Sequence, residues 1–442
     1  MLYIKNGRVI DPMSGRDQIC DILTEGTKIL RIGEHLDREA FFREIPKQDV
    51  ITIDAEGEIV APGLVDVHSH FRDPGQTAKE DLLTGSAAAV AGGYTTVVLM
   101  ANTIPAVDSV ETMQYLTEKA KKCPLHVYSC ATVTKGMEGK ETVDFDALEE
   151  AGAVGFTDDG RPILDEELIR KAMRVSAQKQ KPISLHEEDP QYIGVSGVNA
   201  GEVAEKLGYQ GADRKAEIVM VARDLQIAVE TGAILDVQHV SALESVDLIR
   251  EAKKQSDRIH AEATPHHFSL TEEAVLAHGT AAKVNPPIRT EQDRMAIIRG
   301  LQDGTLDLIA TDHAPHTAEE KSREFPKAPS GMIGLETALA LGVTNLVEPG
   351  YLSLSELLQK MTINPAKMYG LDAGYLAEGG PADLVIFDPK VAKTFHHFTS
   401  KSQNSPFAGK ALKTEIDYTI SDGKIAYIKH MDYESVDPNE EG

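Results

Sequence analysis

Two patterns of hydrophobic and polar positions alternate between residues 65 and 348. Short runs of β-branched and apolar residues are followed by longer stretches in which apolar residues recur every three or four positions. The first pattern is typical of buried parallel strands and the second of amphipathic helices. The short runs predict eight strands, at residues 65–70, 95–102, 125–130, 153–159, 183–187, 234–240, 258–264 and 306–312. The longer stretches predict helices at residues 111–121, 166–178, 214–231, 243–254 and 291–303.

Eight strand–helix units in about 300 residues favour an α/β fold of the (β/α)8, TIM-like barrel type over an open doubly wound sheet. Both ends of the chain read instead as short strands joined by Gly and Asp turns. We therefore expect a barrel at residues 61–369. We also expect one small β-sandwich domain that residues 1–60 and 370–442 form together.

Composition and charge narrow the class of partner. The 442 residues include 45 Lys and Arg against 70 Asp and Glu, a net charge of −25. Such an acidic surface repels nucleic-acid phosphates and anionic lipid, so we expect a small-molecule substrate and neither a nucleic acid nor a membrane as partner. The three cysteines form no CxxC pair, and no leader or spanning segment is evident. These features predict a cytoplasmic protein without a disulfide framework.

Most of the predicted strands end in a polar side chain that can bind a metal or move a proton. In strand order these residues are His68 and His70, Asn102, Asp158 and Asp159, His186, His239, and Asp312. Because the carboxyl ends of barrel strands form one rim, we expect these side chains to converge there. His68 and His70 lie two apart on one strand and so face the same way. Imidazoles and carboxylates without a thiolate suit Zn²⁺ or a related divalent ion.

These residues belong to motifs that follow one another along almost the whole chain. The motifs are VDVHSHFRDPG (65–75), MANTIP (100–105), GFTDDG (155–160), SLHEE (184–188), DVQHVS (236–241), ATPHH (263–267), NPPIR (285–289), IATDHAPH (309–316) and NSPFAGK (404–410). In this order they resemble the dihydroorotase family of the long bacterial type, within the amidohydrolase superfamily. The pair HFRDPG and ATDHAPH is far more specific than a lone HxH.

The resemblance implies a centre of one or two Zn²⁺ ions held by six residues: His68, His70, Asp159, His186, His239 and Asp312. We assign the bridging position to Asp159, because its spacing from His186 matches the family pattern. Strand alternation would then turn Asp158 away, as a structural partner. A second branch of the superfamily, which includes dihydropyrimidinases and allantoinases, has a carboxylated lysine at the end of strand four. The stretch AVGFTDD contains no lysine.

The resemblance also implies a set of substrate-binding residues: His70, Arg72, Asn102, Asn285, His316, Ser330 and Gly331. The planar guanidinium of Arg72 can bind a ring carboxylate through two parallel hydrogen bonds. Two positions depart from the family pattern, since Ser330 replaces a bulky phenylalanine and Ala101 replaces a proline. Ser330 affects the tightness of the pocket. Ala101 affects the turn that orients Asn102.

The reaction that the resemblance implies is reversible hydrolysis of the cyclic amide of (S)-dihydroorotate to N-carbamoyl-L-aspartate, in pyrimidine synthesis. Such a hydrolysis needs a strong nucleophile, and metal binding lowers the pKa of water from 15.7 to about 7. A carboxylate must then carry a proton to the ring nitrogen, and Asp312 is our candidate for this catalytic role. The alternative is that Asp312 only orients a histidine.

Two other functions stay open. The first is hydrolysis of another cyclic amide, as in dihydropyrimidinases, hydantoinases and allantoinases, against which Arg72 and the missing lysine argue. The second is a catalytically silent partner of aspartate transcarbamoylase, against which the retained metal ligands argue. Barrel hydrolases of this kind are often dimers, so by analogy we expect a homodimer, with association with aspartate transcarbamoylase as a further possibility.

Overall fold

Fifteen β-strands lie within residues 1–429, the part of the chain that the computed structural model describes. They are β1 (Leu2–Asp11), β2 (Arg16–Glu25), β3 (Lys28–Gly33), β4 (Ile51–Asp54), β5 (Ile59–Pro62), β6 (Leu64–Ser69), β7 (Tyr94–Leu99), β8 (His126–Ser129), β9 (Ile183–Leu185), β10 (Leu235–Val237), β11 (Ile259–Ala263), β12 (Leu308–Ile309), β13 (Leu384–Thr394), β14 (Ala411–Ser421) and β15 (Lys424–Ile428). The strands of the central part are short and buried, as the continuous apolar runs predict.

The helices occupy the stretches of helical periodicity. They are α1 (Ala40–Arg43), α2 (Leu82–Ala91), α3 (Val110–Ala120), α4 (Phe145–Glu150), α5 (Glu166–Lys179), α6 (Glu202–Lys206), α7 (Lys215–Thr231), α8 (Leu243–Lys253), α9 (Pro265–Ser269), α10 (Glu273–His278), α11 (Glu291–Asp303), α12 (Ala318–Lys321), α13 (Ala338–Gly342), α14 (Leu354–Met361) and α15 (Ile363–Tyr369). Asp81, Thr290 and Ser353 begin three of them with reciprocal side-chain and backbone hydrogen bonds. The five predicted helices are confirmed as α3, α5, α7, α8 and α11.

None of the helices in residues 1–429 combines the length and the apolar character that crossing a membrane requires.

Parallel strands form the framework of the barrel. One sheet has the order β6-β7-β8 and a second has the order β12-β11-β10-β9. The ladders do not run unbroken around the ring, but isolated parallel bridges link the two sheets. Phe156 bridges both Ala131 and Ile183, and Ser69 bridges His313. The predicted (β/α)8 barrel is thereby confirmed, with Phe156 in the place of the fourth strand.

Most of the predicted strands are longer than the observed ones, and two of them shorten the most. Only Phe156 pairs within the predicted strand 153–159, and β12 covers two residues of the predicted strand 306–312. The reason is that side chains take over the backbone partners at these strand ends. Asp158 accepts the N–H groups of residues 133 and 134, and Asp66 Oδ1 accepts the Thr311 N–H at 2.8 Å. When a side-chain carboxylate accepts a backbone N–H in place of the carbonyl of the neighbouring strand, the strand pairing ends there, but the N–H keeps a hydrogen-bond partner.

Both ends of the chain contribute to one sheet, as predicted. Its order is β15-β14-β13-β5-β1-β2-β3, and β4 pairs with β1. Leu64 and Val97 of the barrel belong to the same buried apolar cluster as Val385 and Ile416 of this sheet, so the two parts pack on each other. The division at residues 60/61 and 369/370 stays a prediction. Residues 430–442 of the predicted small domain lie outside the described residues.

Candidate active site

A pocket of about 200 Å³ lies at the carboxyl ends of the barrel strands. Its wall consists of His70, Arg72, Asn102, Asp159, Gly160, His186, His239, Asn285, Asp312, Ala314, His316, Ser330 and Gly331. Apart from Gly160 and Ala314, each of these is a residue that the sequence predicts for the site. The remaining predicted residue, His68, is fully buried behind the wall. The structure thus brings together every predicted site residue.

Asp159 lies among four histidines. Its Oδ1 atom is 3.6 Å from Nε2 of His68 and 3.8 Å from Nδ1 of His186. The same oxygen is 3.9 Å from Nε2 of His239, and Oδ2 is 3.5 Å from Nε2 of His70. Burial opposes ionisation of this carboxyl, but the charge of His68 holds its pKa well below the usual range. Asp159 is therefore a carboxylate with imidazoles on several sides.

Asp312 lies on the other side of the first two histidines. Its Oδ1 atom is 3.1 Å from Nε2 of His70 and 3.6 Å from Nε2 of His68. Its backbone has a φ of +47°, and Arg72 and His239 also have positive φ, of +59° and +33°. Left-handed backbone is strained for residues with a Cβ and is concentrated at functional sites. The strain here falls on three residues of the pocket wall.

Sequence reasoning missed two glutamates that orient the histidines. Glu262 Oε2 lies 2.8 Å from Nδ1 of His68 and also accepts the backbone N–H of His239 at 3.2 Å. Glu188 Oε2 lies 3.0 Å from Nε2 of His186. Burial alone would lower the pKa of His68, but the charges of Glu262 and Asp159 raise it well above the ordinary value. A buried acid inside the predicted strand 258–264 was the available signal for Glu262.

The donor set fits a metal ion. His68, Asp159 and His239 offer ligand atoms that lie within 4.8 Å of one another, and His68, His70 and Asp312 do the same. Nε2 of His68, the ring atom that faces Asp159 and Asp312, is buried and makes no hydrogen bond within residues 1–429. A buried polar atom without a partner is costly, and a cation would satisfy it. Nitrogen and oxygen donors without thiolate suit Zn²⁺ or a similar divalent ion.

Asp158 turns away from this centre. Its Oδ1 atom accepts the backbone N–H groups of Val133 at 2.8 Å and Thr134 at 3.1 Å, and its Oδ2 atom accepts the Thr134 hydroxyl. Asp158 therefore holds the loop after β8. The assignment of the bridge to Asp159 stays a prediction that this geometry favours.

The predicted substrate-binding residues form the opposite part of the wall. Nε of Arg72 donates to the Pro315 carbonyl at 3.3 Å, and its terminal nitrogens donate to no group in the described chain. Asn102 contacts the metal side instead, since its Oδ1 lies 2.9 Å from Nδ1 of His70 and its Nδ2 donates to Asp159 at 3.0 Å. Arg72 is thus the free cation of the described pocket wall.

His316 and Ser330 contact each other across this wall. Nε2 of His316 lies 2.8 Å from the Ser330 carbonyl oxygen, and the Ser330 hydroxyl donates to Oδ1 of Asn285 at 3.0 Å. Burial, followed by the charge of Arg72, lowers the pKa of His316 to about 2, so its ring is neutral and donates from Nε2. Gly331 has a φ of +131°, and a Cβ there would lie 2.7 Å from the Cβ of Ala314. Only glycine fits this position.

The fold and the site together define a barrel hydrolase with a buried histidine and aspartate centre. The chain belongs to the amidohydrolase family, whose model matches residues 59–426. It is 54% identical over 427 residues to the dihydroorotase of Clostridioides difficile (strain 630), which covers 97% of this chain and 100% of that protein. It is 53% identical over 429 residues to the dihydroorotase of Clostridium acetobutylicum, which covers 97% of this chain and 99% of that protein.

The structure also resembles the L-hydantoinase (dihydropyrimidinase) from Arthrobacter aurescens. The TM-score is 0.84 at 26% sequence identity, and the match covers 96% of this chain and 95% of that one. This likeness extends to the barrel and the sheet of both chain ends. The described wall of the pocket contains no lysine.

Proposed function

We propose that this protein hydrolyses the cyclic amide of (S)-dihydroorotate reversibly to N-carbamoyl-L-aspartate, the dihydroorotase reaction of pyrimidine synthesis. Relatives at 53–54% identity over nearly the whole of both chains carry the dihydroorotase name. The observation that carries the proposal is the pairing, in one pocket, of the Asp159 centre with the free guanidinium of Arg72. The first group suits amide hydrolysis, and the second distinguishes a carboxylated ring from a neutral one.

We propose that the centre holds Zn²⁺, as one or two ions per subunit, on the imidazoles and carboxylates that surround Asp159. The residues are His68, His70, Asp159, His186, His239 and Asp312. When bound, the ion polarises the amide carbonyl and lowers the pKa of water from 15.7 to about 7. Glu262 and Glu188 hold His68 and His186 in fixed orientations for it.

Asp312 is the proposed proton carrier. Its carboxylate lines the pocket and lies 3.1 Å from His70, within reach of a substrate that enters between the metal centre and Arg72. In the hydrolytic direction it takes the proton of the attacking water and gives it to the ring nitrogen as the carbon–nitrogen bond breaks. The leaving nitrogen, which already carries one hydrogen, becomes the neutral NH2 of the carbamoyl group, and Asp312 returns to its carboxylate form. The new carboxylic acid releases the second proton of the water to solvent.

Substrate orientation follows from the other side of the wall. Arg72 binds the ring carboxylate through two parallel hydrogen bonds, which places the cyclic amide toward the centre. The rest of the ring would be enclosed by Asn285, His316, Ser330 and Gly331. The small Ser330 leaves more room in this wall than the phenylalanine of the family pattern.

Turnover of four cyclic amides tests the proposal. Purified, zinc-loaded protein is assayed with dihydroorotate, dihydrouracil, hydantoin and allantoin, and bound metal is counted on the same sample. We expect turnover of dihydroorotate far above that of the neutral rings. Turnover of a neutral ring alone would move the function to the hydantoinase branch that the solved structure represents. Bound metal without any turnover would favour the silent partner of aspartate transcarbamoylase.

We propose that the enzyme works in the cytoplasm as a homodimer and that it can associate with aspartate transcarbamoylase. Light scattering of the purified protein, alone and with aspartate transcarbamoylase, measures both the oligomeric state and the association. A monomer that does not change mass on mixing contradicts both.

A further inference from the structure

Two buried lysines lie beside the pocket without an acidic partner. Lys283 is 1% exposed and Lys321 is 9% exposed. Neither ammonium forms a salt bridge within residues 1–429, although buried lysines are ordinarily paired. Burial lowers the pKa of Lys321 to about 7 and that of Lys283 to about 8. Burying an ammonium group without a carboxylate partner costs free energy, so these two groups depend on hydrogen bonds to other acceptors.

Lys321, the last residue of α12, donates to the carbonyl oxygens of the two residues on either side of Ser330. Its Nζ is 3.0 Å from the Pro329 carbonyl oxygen and 2.9 Å from that of Gly331. The carbonyl between them, that of Ser330, accepts Nε2 of His316 at 2.8 Å. Lys321 therefore fixes the peptide groups from which the pocket wall presents Ser330 and Gly331.

Lys283 holds the preceding part of the same segment. Its Nζ donates to the carbonyl oxygens of Phe325 and Ala328, both at 2.7 Å, and lies 5.0 Å from the centroid of the Phe325 ring. Its own carbonyl accepts the Gly331 N–H at 2.8 Å. Gly197 makes room for its stem, since a Cβ there would lie 2.4 Å from Cγ of Lys283. All four acceptors of the two ammonium groups thus lie between residues 325 and 331.

The His316 side chain borders open space on the side away from the pocket. A second cavity of about 310 Å³ lies behind His316 and is lined in part by Lys321 and Asn404. Since His316 borders both cavities, it separates the pocket from this space. Without a fixed wall at Ser330, His316 would lose its acceptor and could turn toward the second cavity. The lysines hold the wall on the pocket side.

We propose that Lys283 and Lys321 are positioning residues that hold segment 325–331 against the substrate and thereby set the affinity of the pocket for dihydroorotate. Neither lysine lines the pocket, so each acts through the backbone of Ser330 and Gly331. The proposal rests on the dihydroorotase activity proposed above. A contact made equally with the ground state and the transition state affects KM more than kcat. The expected signature is therefore a change in KM.

The test compares Lys321→Met and Lys283→Met with the control Lys327→Met. Lys327 lies in the same segment, but its side chain is 72% exposed and pairs with Glu324. Loss of two charge-assisted hydrogen bonds should raise KM for dihydroorotate about tenfold in either buried variant, with kcat within about threefold of wild type. The control should match wild type. If Lys321→Met does not fold, Lys283→Met alone decides the question.

The rate of trypsin cleavage measures how accessible the segment is, and this test does not require turnover of dihydroorotate. Arg323 and Lys327 are exposed cleavage sites in and beside the segment, and we expect both buried variants to be cut there several times faster than wild type. Unchanged KM and unchanged cleavage would overturn the proposal, as would a loss of kcat without a rise in KM. Absence of dihydroorotate turnover in the wild type would contradict the proposed function instead, and the cleavage rates would still test the role of the lysines.

Discussion

Asp158 and Asp159 are adjacent, yet their carboxylates have opposite surroundings. Asp159 lies within 4 Å of imidazole nitrogens of four histidines, whereas Asp158 accepts backbone N–H groups of the loop after β8. Burial raises the pKa of Asp158, and the Thr134 hydrogen bonds oppose that rise. The first carboxylate therefore faces the proposed metal centre, and the second holds the loop after β8.

Alanine at each position should separate these two roles. We expect Asp159→Ala to lose most of its bound metal, because the central carboxylate disappears. Asp158→Ala should keep its metal but lower the free energy of unfolding by about 2–3 kcal/mol, because buried N–H groups lose their acceptor. Metal analysis and urea unfolding of both variants provide the measurements. Greater metal loss from Asp158→Ala would reassign the bridge.

Replacement of Asp312 by asparagine tests proton transfer. The amide keeps the shape of the side chain but cannot take a proton, so we expect kcat to fall by about 10²–10⁴-fold. Bound metal should stay close to the wild-type amount, because the imidazoles and Asp159 remain. Steady-state kinetics with metal analysis on the same preparation measure both. A near-normal kcat would leave Asp312 the role of orienting His70, which lies 3.1 Å away.

Replacement of Arg72 by lysine tests recognition of the ring carboxylate. Lysine keeps the positive charge but cannot form two parallel hydrogen bonds in a fixed plane. We expect KM for dihydroorotate to rise about tenfold, since one charge-assisted hydrogen bond is lost. Any slow turnover of dihydrouracil, which has no carboxylate, should stay at the wild-type rate. Equal KM values in variant and wild type would contradict this role.

At the scale of elements, the sequence predicts helices better than strands. Each of the five predicted helices begins and ends within one residue of its observed bounds, because cap residues such as Asp165 and Thr290 mark the starts. The predicted strand 153–159 shrinks to a bridge at Phe156, because Asp158 takes partners that the periodicity does not reveal. The histidines and aspartates of the proposed metal centre were predictable from strand ends, whereas Arg72, Asn285, His316, Ser330 and Gly331 came from the family resemblance. Glu262 stood out only as an acid inside a predicted strand, and the sequence does not show which group it faces.

The loop after β6 depends on α3 for its position. Asp73, next to Arg72, accepts the Tyr115 hydroxyl at 2.9 Å and the Lys119 ammonium at 2.5 Å, and also the N–H of Leu82. The Asp73 side chain is fully buried, whereas Lys119 is 28% exposed. We expect Asp73→Ala to lower the free energy of unfolding by about 2–3 kcal/mol and to raise KM for dihydroorotate, because the loop carries Arg72.

Asp17→Ala is the matched control for this prediction. Asp17 also pairs with a basic side chain, Arg8, but both are about half exposed and lie far from the pocket in sequence. An exposed pair contributes less than about 1 kcal/mol, so this variant should change the free energy of unfolding little and KM not at all. Urea unfolding and steady-state kinetics serve both variants. Equal losses in the two would contradict a special role for Asp73.

At the scale of the whole molecule, the two chain ends meet beneath the barrel in one sheet. The sequence predicts that both ends are β-rich, but not the strand order, because β5 pairs with β13 across more than 300 residues. Besides the apolar packing between barrel and sheet, a polar contact joins a barrel strand to the residue that leads into β13. His126, the first residue of β8, lies with Nε2 3.0 Å from Oδ2 of Asp383, which precedes β13. The pair therefore lies at the junction between the barrel and the sheet.

This pair should make stability depend on pH. The hydrogen bond to Asp383 raises the pKa of His126 above its ordinary value of 6.5, although burial opposes the rise. A raised pKa in the folded state means that the pair stabilises fully below pH 6.5 and that the stabilisation is lost as the pH rises through the folded-state pKa. His126→Gln should therefore lower the free energy of unfolding more at pH 6 than at pH 9. Urea unfolding of the metal-loaded protein at both values measures this difference, with the exposed His397→Gln as control. If the free energies of unfolding of wild type and variant differ by the same amount at pH 6 and pH 9, His126 stabilises the junction by packing and not by its charge.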